Sequence, residues 1–189
     1  MGAIETSELK NGVKVIFDNA PWICLNVDFV KPGKGAAFYK IRVQNLLTRN
    51  TLEKTLRSGE KVETADVVDT DMQYLYSDAN GYVFMDKTTF DQVTVQPKAI
   101  GDDKDFLLEN MDVAVTLWNG EPIAVRLPNS VVMNVVYTEP AVKGDTQSRV
   151  MKPAKLQTGA EIPVPIFVAI GDKITVNTQT RAYVGRVAK

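Results

Sequence analysis

Histidine is absent from this 189-residue chain, and cysteine occurs once, at Cys24. Without histidine there is no Ser-His-Asp triad, no Cys-His pair and no histidine metal ligand. One cysteine excludes an intrachain disulfide, a zinc ribbon and a CxxC redox pair. Apolar runs are short, and none approaches the ~20 residues that a bilayer-spanning helix needs. Met1-Gly2-Ala3-Ile4-Glu5 lacks the basic-then-apolar layout of a secretory signal, so a cytoplasmic, reducing address is expected. What remains is ordinary: 44% hydrophobic and 24% charged residues, the composition of a globular protein.

The net charge of −1 conceals an asymmetry. Residues 1–64 hold 10 basic and 7 acidic side chains, net +3. Residues 65–128 hold 4 basic and 12 acidic, net −8. Residues 129–189 hold 8 basic and 4 acidic, net +4. This layout suggests modules with different neighbours, although random choice of surface residues would also produce it. The outer thirds suit phosphate, which the middle third would repel.

Short strands are predicted almost throughout. Lys14–Phe17 follows a turn signal at Asn11-Gly12. Leu25, Val27 and Phe29 alternate with polar residues, as do Tyr39, Ile41 and Val43, and a Gly/Pro-rich loop joins the two runs as a hairpin. A further strand is expected over Thr51–Leu56. Asn80-Gly81 and Asn119-Gly120 mark two more hairpins. Asp102–Met111 is the best helix, with acidic residues at its start where the helix dipole favours them. Val131–Tyr137 is a β-branched run, and Ile162–Ala169, carrying Pro163 and Pro165, reads as an edge strand. The pattern predicts an all-β chain of small barrels, with modules at 1–64, 65–128 and 129–189.

Lys34 is the residue that the sequence singles out. In Lys31-Pro32-Gly33-Lys34-Gly35, Pro32 fixes φ while Gly33 and Gly35 permit unusual backbone angles. Lys34, between two glycines, would project a flexible stem and a hydrated cation. Such a tip could enter a polyanionic cavity or be covalently extended. On residue physics alone, the simpler reading is a solvated lysine in a hairpin turn. The loop is not a phosphate-binding GxxxxGK[ST] motif.

Phe29-Val30-Lys31-Pro32-Gly33-Lys34-Gly35, Ala65-Asp66-Val67, Leu117-Trp118-Asn119-Gly120, Lys143-Gly144-Asp145-Thr146 and Lys152-Pro153-Ala154 occur in order along the chain. So do Thr158-Gly159-Ala160, Val164-Pro165 and Tyr183-Val184. Taken together the sequence resembles the bacterial elongation factor P family over essentially its whole length. That resemblance implies an SH3-like (KOW-type) barrel followed by two OB-type barrels in an L-shape. It implies a monomeric factor that contacts both ribosomal subunits beside peptidyl-tRNA, stimulates peptide-bond formation and relieves stalling at consecutive prolines. Lys34 would be the modified lysine, extended by a lysine-modifying enzyme, most commonly through β-lysylation. No other cofactor and no catalytic residue is implied.

RNA contacts are expected around the tip, at Lys31, Pro32, Gly33 and Gly35. More are expected in the last third, at Lys143, Gly144, Asp145, Arg149, Lys152, Tyr183 and Arg186. Relatives with arginine at the tip are glycosylated there, a route that Lys34 disfavours. Ala36 stands where many relatives have glutamine.

Other residues fit plainer roles. Trp22 and Trp118 suit core or rim packing better than base stacking. Cys24 suits a small buried apolar site. Asp102, Asp103 and Asp105 lack the EF-hand spacing and suit a solvated helix start. Two other functions fit the residues less well: a cold-shock-type single-stranded RNA binder, and a hydrolase using Asp69 with Asp71 or Asp102 with Asp105. The first lacks a face of interleaved basic and aromatic residues. The second has only exposed-looking carboxylate pairs.

Overall fold

A computed structural model describes residues 2–140 and 150–188 of the chain. The fold is almost entirely β, built from small barrel-like sheets.

Strands β1 (Ala3–Glu5), β2 (Lys14–Phe17), β3 (Ala20–Val30), β4 (Phe38–Asn45), β5 (Thr51–Arg57) and β6 (Lys61–Glu63) form the first module. A four-stranded antiparallel sheet runs β2-β3-β4-β5, while β1 pairs with β6. A bridge from Val15 to Thr64 links β2 to the segment after β6. Asp18 and Asn19, with φ of 51° and 57°, make the tight turn between β2 and β3. The core beneath is Val15, Trp22, Cys24, Ile41, Val43 and Leu56.

Cys24 is only 1% exposed, and burial pushes its thiol pKa up, which keeps it an unreactive thiol. The alternation expected from Leu25 to Phe29 holds only in part. An irregularity between Cys24 and Asn26 shifts the pairing with β4, leaving Leu25 and Phe29 largely exposed. Phe29 instead packs its ring 5.0 Å from that of Tyr39.

The second sheet contains β7 (Val67–Asp78), β8 (Gly81–Asp86), β9 (Gln92–Val95), β10 (Asp112–Trp118) and β11 (Glu121–Arg126), in the order β11-β10-β7-β8-β9. Phe84, Val95, Phe106 and Val115 are fully buried. The Asn119-Gly120 turn has φ of 50° and 83°, the geometry that suits a two-residue hairpin. At the other predicted turn the two connecting residues are Ala79 and Asn80, and Gly81 already pairs with Asp78.

The helix expected over Asp102–Met111 is not formed. A single α-helical turn, α1 (Pro97–Ile100), precedes a 3-10 stretch at Gly101–Phe106. Gly101 ends α1 with φ of 57°. Phe106 and Leu107 are drawn into the core, and Asn110 and Met111 exchange backbone hydrogen bonds with Tyr74. Sheet pairing therefore outcompetes local helix propensity.

The third sheet contains β12 (Ser130–Thr138), β13 (Met151–Leu156), β14 (Glu161–Pro165), β15 (Lys173–Asn177) and β16 (Ala182–Arg186), ordered β14-β13-β12-β15-β16. β14 and β16 approach each other, curving the sheet towards closure. β14 is an edge in the ladder, as its prolines require. The chain divides into two compact units, residues 1–70 with 115–125 and residues 71–114 with 126–189.

Candidate functional site

The β3–β4 hairpin positions the predicted tip. Val30 pairs with Phe38, and Ser58 donates its N–H to the Ala37 carbonyl at 3.2 Å, closing the base of the loop. Beyond that base, Lys31, Gly33, Lys34, Gly35 and Ala36 are exposed, and only Pro32 is partly covered. Gly35 has φ of 113°, a region costly for any residue with a Cβ. Lys34 makes no hydrogen bond or ion pair to a described residue. The loop thus holds its backbone by glycine and proline geometry and leaves the ammonium to solvent.

In the third sheet, Tyr183 and Arg186 meet through a residue that sequence reasoning passed over. The irregularity at Thr175/Val176 sets Arg186 opposite Ile174 and Tyr183 opposite Val176, so both share one face. Between them stands Phe167, 58% exposed. Its ring meets Tyr183 edge-on at 6.5 Å, and the Arg186 guanidinium lies 5.6 Å from its centroid. Asp172 lies 3.7 Å from Arg186. Nothing in the sequence marked Phe167 as exposed, since a phenylalanine within an apolar run reads as core.

Lys152 lies on β13, separated from β16 in the ladder by β12 and β15. Its amine donates to the Glu139 carbonyl, leaving two of three donors for another partner. Lys143, Gly144, Asp145 and Arg149 lie outside the described residues.

Asp105 and Asp69, one from each of the two carboxylate pairs, are engaged by other side chains. Asp105 is not part of a solvated helix start: it takes the Arg181 guanidinium at 2.6 Å, and that guanidinium also sits 4.8 Å from the centroid of Phe106. Asp69 accepts the Thr116 hydroxyl at 2.6 Å. Trp22 is core, its indole N–H donating to the Phe17 carbonyl at 3.0 Å. Trp118 is half-buried, with no partner for its indole N–H among the described residues. Among these residues no group of three His, Cys, Asp or Glu side chains could hold a metal, and no helix is long and apolar enough to cross a membrane.

Small barrels that present a cationic finger and an aromatic–arginine face define a binding factor that acts by contact. Sequence comparison narrows the class. The elongation factor P KOW-like domain matches residues 5–62, the elongation factor P OB domain residues 67–125, and the elongation factor P C-terminal domain residues 131–186. Elongation factor P of Synechococcus sp. strain JA-2-3B'a(2-13) is 47% identical over 183 residues, covering 97% of this chain and 99% of the relative. That of strain JA-3-3Ab is 46% identical over 183 residues, with the same coverage of 97% and 99%.

Among solved structures, eukaryotic translation initiation factor 5A from Methanococcus jannaschii superimposes with a TM-score of 0.56 at 20% identity, covering 67% of this chain and 94% of that one. An eif-5a family protein from Naegleria fowleri gives 0.54 at 16% identity, covering 67% and 98%. At such identities these two show a shared fold alone. The chain belongs to the elongation factor P family. It is accordingly a translation elongation factor rather than an enzyme, and its partner lies in the translation machinery.

Proposed function

We propose that this chain binds the ribosome beside peptidyl-tRNA, touching both subunits, and that Lys34 reaches the peptidyl end to stimulate peptide-bond formation and relieve stalling at consecutive prolines. The observation that supports this most is the exposure of Lys34 on a loop held by Pro32 and Gly35, with no described partner for its amine. A cation so placed contributes little to its own fold, so its use lies in what it meets outside.

Raising a stalled step tenfold to thousandfold requires roughly 1.4–4 kcal/mol. Orienting reactants supplies as much as ~7–11 kcal/mol. An entropic and electrostatic brace therefore suffices, and the chain needs no acid–base pair. In this reading the monomer works in the cytoplasm as three modules, 1–64, 65–128 and 129–189. A lysine-modifying enzyme extends Lys34, by β-lysylation, to lengthen its reach. Phe167, Tyr183 and Arg186 form an RNA-facing surface in which the ring holds the guanidinium ready for phosphate or base.

The test is Lys34→Ala in a polyproline translation assay, with the melting temperature as a folding control. Rescue should fall at least tenfold while the melting temperature stays unchanged. Normal rescue by the variant overturns the tip mechanism. The mass of the Lys34 peptide from the native cell tests the modification.

A further inference from the structure

Two turns of the third sheet reach back towards the Gly101–Phe106 stretch, and the contacts they make are mostly polar. The turn between β15 and β16 is tied by Asn177, whose side-chain oxygen accepts the N–H groups of Gln179 and Thr180, both at 2.9 Å. Arg181 closes that turn with φ of 57°, a conformation uncommon for a long side chain. From there its guanidinium meets three groups of Gly101–Phe106: the Asp105 carboxylate at 2.6 Å, the Asp102 carbonyl at 3.4 Å and the Phe106 ring at 4.8 Å. The turn between β13 and β14 adds a fourth contact, in which the Thr158 hydroxyl donates to the Asp105 carbonyl. Thr178, only 5% exposed, grips the connection from β11 to β12. Its hydroxyl donates to the Pro128 carbonyl, and its N–H donates to that of Asn129 at 3.0 Å.

These contacts join parts that have cores of their own, Phe84 and Val95 in one sheet, Leu156 and Ile174 in the other. Small modules joined by a short connection move relative to each other unless a large apolar interface or specific contacts stop them. Yet residues 71–114 and 126–189 make one compact unit. An exposed ion pair alone contributes little to such a junction. Arg181 differs because one planar group takes a carboxylate, a carbonyl and a ring at once, which the point charge of a lysine cannot do. The path of Gly101–Phe106 serves the same end, since a helical terminus leaves carbonyls for partners outside it.

We propose that Arg181 is a positioning residue for ribosome binding: it clasps the third sheet to Gly101–Phe106 and so presents Phe167, Tyr183 and Arg186 in one orientation. This rests on the ribosome-binding reading above. β16 starts at the next residue and carries both Tyr183 and Arg186, so the clasp fixes the strand that bears them. A surface that is already oriented loses less freedom on contact, and a second contact from the same chain then forms at high effective concentration.

Arg181→Ala and Asp105→Ala test it in the full-length chain. In the natural chain the backbone amides of residues 71–114 and 150–187 should share one alignment tensor, measured from residual dipolar couplings in a dilute liquid crystal. In either variant the two sets should take separate tensors while each sheet keeps its amide spectrum, and purified ribosomes should be bound about fivefold more weakly. Asp105→Ala separates positioning from direct contact, because it frees the guanidinium. An arginine that touched RNA itself would bind at least as well in that variant, and that result overturns the inference. So do separate tensors in the natural chain, one shared tensor in both variants, or unchanged affinity. Failure of the natural chain to bind ribosomes would instead remove the reading beneath, and the role of the clasp with it, while the couplings would still report the clasp itself.

Discussion

Two hairpin loops present exposed chemistry in this molecule, and they are held in opposite ways. Residues 31–37 carry a cation on a backbone shaped by Pro32 and Gly35, with hydrogen bonding confined to the base. Residues 87–91 carry the Phe90 ring on a backbone forced into an unfavourable angle and pinned by Asp86. The first loop avoids strain by choosing residues that tolerate the geometry. The second accepts strain and offsets it with hydrogen bonds. A long flexible lysine tolerates an adaptable mount, because its stem searches for its partner. A stiff ring with two side-chain torsions must be aimed by the backbone.

Glycine sharpens the contrast at two positions of positive φ. Gly81, at the other end of β8, has φ of 139°, and a Cβ there would lie 2.4 Å from the Val95 carbonyl oxygen. Strain and collision act together, so Gly81→Ala should cost about 2–5 kcal/mol. Urea unfolding measures it, and a cost under 1 kcal/mol would mean that β9 yields easily. Gly35→Ala meets only Pro32 Cγ, at 3.8 Å, so the backbone angle alone is penalised. About 1 kcal/mol is expected, with rescue of polyproline synthesis reduced less than by Lys34→Ala. Equal loss in the two variants would make the loop's shape, rather than its amine, the active feature.

The smallest effect is one of pH. The backbone N–H groups of Thr89 and Thr88 hold the Asp86 carboxyl below its ordinary value of 3.8. A lowered folded-state pKa adds stability that is complete above the unfolded value and is lost as pH falls through the folded one. The difference in melting temperature between the natural chain and Asp86→Asn should therefore be greatest at neutral pH and shrink below pH 3.8. A constant difference would show that the charge of Asp86 does not hold the Phe90 loop.

Much of this was legible in the residues. Tyr39, Ile41 and Val43 alternate because one face of β4 meets the core, and a period of two survives into the fold unchanged. Pro163 and Pro165 placed β14 at an edge, because each lacks a donor. The exposed Lys34 finger was readable for a similar reason, since glycine and proline carry their backbone preferences with them. Asp102–Met111 was not readable. Its acidic start resembles a helix terminus, yet burial of Phe106 and pairing with Tyr74 decided its path. The exposed positions of Phe167 and Phe90 were not readable either, because a phenylalanine in strand-like sequence looks like core until its surroundings are known.

By itself the amino-acid sequence determined the all-β class, the absence of histidine and disulfide chemistry, and the loop that carries Lys34. These follow from local rules: side-chain period, turn residues and the inventory of reactive groups. Only tertiary structure decided that Phe167 would join Tyr183 to Arg186, that Arg181 would claim Asp105, and that Phe90 would face outwards. Those outcomes depend on which strands become neighbours and where their register slips, and such choices are made by packing over the whole chain.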